Sequence, residues 1–326
     1  MLFRSDLSPE LEADLVARMA EVEVLLRKQI GGNYPLVVET SRHLVEAGGK
    51  RLRPLLTLIT SHFGNPAAPG IIEAAVVCEL THVATLYHDD VMDEAPLRRG
   101  VESANNRWGN TVAILTGDYL FARTSDLLAD LGPAAVHLQA QTFERLVIGQ
   151  IMETQGPSDG EDPLAHYLRV VSDKTGSLIA ASAQFGAMLA GAPKENIDAV
   201  AIFGEKIGVT FQLADDVIDI ASDSEESGKT PGTDLKEGVP TLVTLQIMRS
   251  DRLEDAELKT LLSAPMDDAT VARVIPQLRQ HQALKDAKKY LHTLADESKA
   301  LLSTLPTGPA RSALENLCVA IVDRTA

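Results

Sequence analysis

Apolar residues recur at three- and four-residue spacing along almost the whole chain: Leu11, Leu15, Met19, Val22 and Leu26, then Leu55, Leu58, Ile59 and Phe63, then Ile114, Leu120, Leu127 and Leu128. Residues three or four apart share a helix face, so this period predicts amphipathic helices. No run alternates convincingly with the two-residue period of a strand, and the chain reads as all-α. Punctuation divides it: Ser8-Pro9 opens the first helix and Gly31-Gly32-Asn33 closes it, Gly64 to Gly70 and Gly156 to Pro163 are loops, and Gly132-Pro133 separates two helices. One long helix is expected over roughly 69 to 94, with Pro96 beyond it. Ser222 to Pro240 reads as a loop long enough to suspect of function. The region after about 250 is charged and helical, and its last apolar stripe, Leu314, Leu317, Ala320 and Ile321, reads as packing.

Composition narrows the class. The chain has 326 residues with no linker or low-complexity tract, which favours one large domain over 1–326. Apolar residues at 45% and charged residues at 23% suit a globular protein with a sizeable core. A formal net charge of -16 argues against a nucleic-acid surface and leaves no polybasic membrane anchor, so an anionic ligand needs a local basic patch. Cys78 and Cys318 are too few for a disulfide framework or a structural zinc site, which fits a reducing cytoplasm. The N-terminus lacks a signal-peptide core and no run is long enough to span a bilayer, so a cytoplasmic location is expected.

Two acidic patches, Asp89-Asp90-Val91-Met92-Asp93 and Asp215-Asp216-Val217-Ile218-Asp219, interrupt this apolar helical pattern. Asp89 and Asp93 fall four apart on a helix, as do Asp215 and Asp219, so each pair shares a face and attracts divalent metal. Oxygen-only ligands favour a hard ion. Mg²⁺ keeps several waters and bridges carboxylates to phosphate oxygens, which implies a phosphorylated substrate. A single patch is equally well an exposed acidic helix face; two with identical spacing are hard to explain so.

Gly48-Gly49-Lys50-Arg51-Leu52-Arg53-Pro54 sets three cations at a Gly-permitted turn into a helix, an anion cradle in form. Alone it reads as a solvated basic turn, but Arg98-Arg99 adds positive charge just past the first acidic patch. His82 lies on a neighbouring turn to Asp89 and is placed to face the same cavity. Lys174-Thr175, at a turn into Gly176-Ser177-Leu178, Gln212, one turn before the second patch, and Lys229, in a loop read as a lid that excludes water, are individually weak candidates.

In order, GGKRLRP, HDDVMDEAPLRRG, GDYLFA, KTGSL, FQLADDVID and GKTPGTDLKEG resemble the trans-polyprenyl diphosphate synthases, the head-to-tail prenyltransferases, from about Lys50 to Pro240. The resemblance implies an isoprenoid synthase fold: an all-α bundle around a deep central cavity, with the two Asp motifs facing each other across its mouth, usually as a homodimer. It implies repeated addition of isopentenyl diphosphate to an allylic diphosphate. Several Mg²⁺ ions held by Asp89, Asp90, Asp93, Asp215, Asp216 and Asp219 would neutralise the leaving group. Arg98, Lys174, Thr175, Gln212 and Lys229 would bind and orient the allylic diphosphate, and Lys50, Arg53, His82 and Arg99 the isopentenyl diphosphate. Arg51 is left as structural.

Counting back from Asp89, successive turns carry Thr85 and Ala84, then Thr81, then Cys78 and Val77, none aromatic. In the family bulky residues here accompany short products, so small ones suggest a long one, heptaprenyl to decaprenyl, plausibly for a quinone tail. A plug from another helix would undo that reading. Three rivals remain: a farnesyl or geranylgeranyl diphosphate synthase, a non-catalytic subunit of a heteromeric synthase, and a terpene cyclase, disfavoured by the second Asp motif and by 4% aromatic content.

Overall fold

The structure, a computed structural model, describes residues 7–221, 232–264 and 266–324. Its helices are α1 (Pro9–Gln29), α2 (Pro35–Glu46), α3 (Leu52–Ser61), α4 (Ile71–Met92), α5 (Ala104–Trp108), α6 (Asn110–Leu131), α7 (Pro133–Gln155), α8 (Pro163–Val171), α9 (Ser177–Leu189) and α10 (Lys194–Ala221). Then come α11 (Thr233–Glu237), α12 (Leu242–Arg249), α13 (Ala256–Leu262), α14 (Asp268–Gln280), α15 (Gln282–Leu301) and α16 (Pro309–Asp323). Among the described residues the sheet content is one hairpin, β1 (Leu97–Arg98) with β2 (Val101–Glu102). The all-α expectation is met. The hairpin was not legible because two-residue strands are too short to show a period.

The described residues fall into two compact units. The first comprises the described residues within 1–144, 178–204 and 301–316, and the second those within 145–177, 205–300 and 317–326.

In the first unit α4 is the central element, packing against α1, α3 and α6. Its sequence is apolar on every side, and burial follows from Ile71 to Tyr87 with few breaks, as a helix with no polar face requires. Close approach to α6 depends on Gly117, where a Cβ would lie 2.4 Å from His88 Nε2 and 3.0 Å from the Ala84 carbonyl. Gly186 of α9 likewise admits α3, since a Cβ there would lie 2.0 Å from the Thr57 carbonyl. Helix α1 begins as the punctuation predicts, with Ser8 Oγ accepting from Leu11 N at 3.3 Å and Pro9 in the first turn. Ile114, expected in the core, is 41% exposed on α6 and Leu115 beside it 61%.

In the second unit α8 packs on α12, α12 on α13, and α11 and α13 on α14, whose Arg279 donates to the Ile220 carbonyl of α10. A π-helical turn, Ser172–Gly176, joins α8 to α9. The segment read as a loop from Ser222 to Pro240 contains α11, whose first amides, Thr233 N and Asp234 N, both donate to the Asp219 carboxylate at 3.3 Å. Its five residues carry no apolar period, so the spacing gave no sign of them. In the stripe on α16, Leu314, Leu317 and Ile321 are fully buried, whereas Ala320 is only half-buried.

Candidate active site

The first acidic motif forms the C-terminal turn of α4, with Asp93 capping the helix and its amide donating to the Asp89 carbonyl at 2.8 Å. Glu94 then takes a left-handed φ of 48°, and the chain reverses into the hairpin. Its two turn residues, Arg99 at φ 53° and Gly100 at φ 77°, both lie where a two-residue hairpin turn needs them. Arg51, Glu94 and Arg99 are the non-glycine residues of positive φ among those described, and all three lie within motifs read from the sequence. Backbone strain of this kind gathers where a site must be held.

The hairpin returns Arg98 to the acidic turn. Its Nε donates to Asp90 Oδ1 at 2.5 Å and Nη2 lies 3.9 Å from Asp93 Oδ2. Burial pushes the Asp90 carboxyl up despite Arg98, while Asp90, Asp89 and Asp93 together hold the guanidinium above its usual value against its own burial. The asymmetry is that of one cation among three carboxylates. Asp90 Oδ2 is buried with no hydrogen-bond partner. Among the described residues no three His, Cys, Asp or Glu side chains converge to hold a metal alone. The donor set nevertheless fits a hard cation that takes its remaining ligands from phosphate and water.

Further back along α4 lies the basic pocket. Arg51 is tied down by Glu23 Oε1 at 2.6 Å, Glu79 Oε1 at 2.8 Å and the Val45 carbonyl at 3.0 Å, which agrees with a structural part for it. Arg99 donates to the Leu44 carbonyl at 2.6 Å and lies 3.9 Å from Glu79. The end of α2 that supplies this carbonyl is fixed by Tyr87, whose hydroxyl donates to the Thr40 carbonyl and accepts from Leu44 N. Arg53 is half-buried, with its buried Nε unpartnered, and desolvation lowers its pKa. Burial first, then Arg53, Arg99, Arg98 and Arg51, hold His82 well below the ordinary imidazole value, so the ring is neutral. Lys50 is exposed at the loop before α3. A cavity of about 360 Å³ lined by Glu23, Gly48, Gly49 and Arg51 among others borders this loop rather than the carboxylates.

The proposed chain-length positions are all buried on α4, but they have different neighbours. Thr81 Oγ1 accepts from Gln139 Nε2 of α7 at 2.8 Å. Cys78 sits by Thr57 and Ser182, with its thiol pushed up to about 11 by burial. Thr85 Oγ1 turns back to the His82 carbonyl at 2.8 Å, and the Ala84 carbonyl meets Gly117.

In the second unit the Asp215, Asp216 and Asp219 motif lies in the last turns of α10. Asp216 is buried, accepting from Tyr167 Oη and from Gln212 Nε2, the latter at 2.9 Å. Burial pushes its carboxyl up to about 6, with Asp215 and Asp219 adding repulsion against those two hydrogen bonds. Gln212 Oε1 accepts from Thr175 Oγ1 at 3.2 Å, so Thr175, Gln212, Asp216 and Tyr167 form one polar chain. Lys174 donates to Glu153 of α7. The π-turn that presents Lys174 and Thr175 rests on Arg145, which donates to Asp173 Oδ1 at 2.8 Å and to Glu205 Oε1 at 2.8 Å. Asp215 Oδ1 accepts from Arg324 at 3.1 Å, and the same guanidinium stacks over Phe211. Lys229 lies outside the described residues.

Glu79, Gln139, Tyr167, Arg145 and Arg324 escaped the sequence reading. Glu79 left a usable trace, a lone charge within Ala74-Ala75-Val76-Val77-Cys78-Glu79-Leu80, because a buried carboxylate demands a cation. Arg324, beyond a stripe read as packing, left none.

Comparison with known proteins decides the lineage. A family model described as polyprenyl synthetase matches residues 34–278. The chain belongs to the polyprenyl synthetase family. A nonaprenyl diphosphate synthase of Mycobacterium tuberculosis is 46% identical over 311 residues, covering 95% of this chain and 92% of the relative. A geranylgeranyl pyrophosphate synthase of Corynebacterium glutamicum, solved with calcium and isoprenyl diphosphate, is 44% identical with a TM-score of 0.87, covering 98% of this chain and 99% of that one. A polyprenyl synthase of Caulobacter crescentus, also solved with calcium and isoprenyl diphosphate, superposes with a TM-score of 0.90 at 31% identity, covering 99% of this chain and 100% of that one. The protein is therefore a trans-prenyltransferase with the isoprenoid synthase fold of this polyprenyl synthetase family. Among the described residues no helix is long and apolar enough to cross a membrane.

Proposed function

We propose that this polyprenyl synthetase adds isopentenyl diphosphate repeatedly to an allylic diphosphate, giving a long all-trans product of heptaprenyl to decaprenyl length for a quinone side chain. The reading is supported by two charged features that lie along α4, the second completed by Arg53 of α3 and Arg99 of the hairpin turn. A carboxylate turn, Asp89 to Asp93, ends the helix, and a cation-rich pocket of Arg53, Arg99 and neutral His82 lies further back. The first suits a diphosphate that arrives with metal, the second one that arrives without.

Asp89, Asp90, Asp93, Asp215, Asp216 and Asp219 are the carboxylates offered to Mg²⁺. Mg²⁺ held by such carboxylates would supply neutralisation of the charge on the diphosphate leaving group. Arg98, now paired with Asp90, and Lys174, now paired with Glu153, are each candidate contacts for the allylic diphosphate, as is Lys229. Thr175 and Gln212 already hold one another and orient that end of the substrate. Lys50, Arg53, Arg99 and His82, the last as a neutral hydrogen-bond donor, hold isopentenyl diphosphate with its double bond against the allylic cation. The proton lost from the new chain passes to the departing pyrophosphate. Water must be excluded, since it would trap the cation as an alcohol.

A cytoplasmic homodimer is part of the same reading, and exposed Ile114 and Leu115 on α6 are apolar surface suited to a second copy. A geranylgeranyl product is the second reading, favoured by the 44% identity to the Corynebacterium enzyme. Mass analysis of the product from labelled isopentenyl diphosphate separates them: seven to ten isoprene units support the first and four the second. Turnover that survives exhaustive chelation removes the metal-dependent mechanism, and a monomer by light scattering removes the dimer.

A further inference from the structure

The basic pocket on α4 is organised around a carboxylate that belongs to no recognised motif. Glu79 is 2% exposed, and its Oε1 lies 2.8 Å from Arg51 Nη1 and 3.9 Å from Arg99 Nη2. Its charge also acts on Arg53, opposing the loss of basicity that burial imposes there. The loop before α3 closes onto the same point: a Cβ on Gly49 would stand 3.1 Å from Arg51 Nη1 and 3.2 Å from Arg99 Nη2. Two guanidiniums from sequence-distant segments thus approach one glycine backbone with Glu79 beside them. A third, Arg53, is half-buried and has a buried, unpartnered Nε. The titratable groups facing Glu79 are Arg51, Arg53, Arg99 and Cys78, with His82 beside the same guanidiniums.

We propose that Glu79 is a positioning residue for the homoallylic diphosphate, holding Arg51 and Arg99 side by side and aiming Arg99 and Arg53 at the anion. The inference rests on the assignment of this pocket to isopentenyl diphosphate. Like charges in a low-dielectric pocket repel strongly. One carboxylate among three guanidiniums removes enough repulsion to keep them together and leaves a net positive charge for the ligand. An Arg51 fixed by Glu23, Glu79 and the Val45 carbonyl forms the rigid side of the arrangement. Arg99, held to Glu79 by a looser contact and to the Leu44 carbonyl, is the member whose aim depends most on the carboxylate.

Two effects of removing the charge compete, with opposite signs. A pocket that only attracts anions by net charge would bind isopentenyl diphosphate more tightly after Glu79→Gln, because the field becomes more positive. A pocket that depends on guanidinium placement binds it less tightly, because Arg51 and Arg99 separate. Steady-state kinetics of the full-length protein with both substrates decides. Glu79→Gln is expected to raise KM for isopentenyl diphosphate about tenfold, with KM for the allylic substrate and kcat within about threefold of wild type. Because Glu79→Gln also leaves Arg51 short of a partner, the double variant Arg51→Met with Glu79→Gln is measured beside it. Recovered thermal stability with KM still raised is the expected outcome. An unchanged or lowered KM in Glu79→Gln, or recovery of stability and KM together in the double variant, overturns the proposal. Lys50→Ala and Arg99→Ala provide the reference: if neither raises KM for isopentenyl diphosphate, the assignment of the pocket itself is wrong. If both do and Glu79→Gln does not, only the role of Glu79 fails.

Discussion

Gln139 Nε2 of α7 donates to Thr81 Oγ1 of α4 at 2.8 Å, two helical turns back from Asp89, and the Gln139 Oε1 beside it is buried without a partner. Thr81 shares a face with Thr85 and Asp89, so the carboxamide lies over the strip of α4 along which a product chain would lengthen. At a rise of 1.5 Å per residue the bridge stands about 12 Å along the helix from Asp89. Under the proposed long-chain reading, the small residues of α4 would share control of product length with Gln139 of a second helix.

Gln139→Ala is accordingly expected to lengthen the average product by one or more isoprene units, and Gln139→Phe to shorten it. Chromatography of the labelled products reads both. An unchanged distribution in two active variants would place the floor of the cavity elsewhere.

Asp89→Ala and Asp215→Ala should each lower kcat by at least about a hundredfold, the scale on which loss of one preorganised electrostatic group is felt. Far-ultraviolet circular dichroism should stay that of the wild type. Turnover within tenfold of wild type for either variant would remove that motif from the chemistry.

Arg51 and Lys50 are adjacent but predicted to fail differently. Arg51→Ala strands Glu79, which is 2% exposed, and should cost roughly 3 kcal/mol of stability by urea denaturation. Lys50→Ala should leave the denaturation midpoint unmoved and raise KM for isopentenyl diphosphate.

His82 links stability to pH. Burial and four arginines hold its folded pKa well below 6.5, so below the ordinary imidazole value the unfolded chain binds a proton that the folded chain refuses. Stability from this group is full above that value and is lost as pH falls towards the folded pKa. The urea midpoint of wild type should therefore drop between about pH 7 and about pH 5.5 more steeply than that of His82→Gln. Parallel slopes would show that the ring is protonated in the fold.

The local elements around the candidate site were legible in the sequence. Asp89 and Asp93 share a helix face by spacing alone, Ser8-Pro9 announces a helix start, and the ordered motifs are specific enough to name a family. Arg51, too, could be set aside from its neighbours in advance. The segment from Ser222 to Pro240 shows the limit: its composition says loop, yet α11 forms there with its first amides on the Asp219 carboxylate, a contact from another helix.

The sequence by itself determined the helical architecture, the two acidic turns and the cations available to bind diphosphate, because period, punctuation and charge are properties of neighbours along the chain. Tertiary structure decided which groups meet. It set Glu79 between Arg51 and Arg99, Gln139 on Thr81, Tyr167 on Asp216, and Arg324 on Asp215, 109 residues away in the chain. Those pairings arise from burial, since a polar group removed from water must find its partner wherever packing brings one, and no local pattern records the distance.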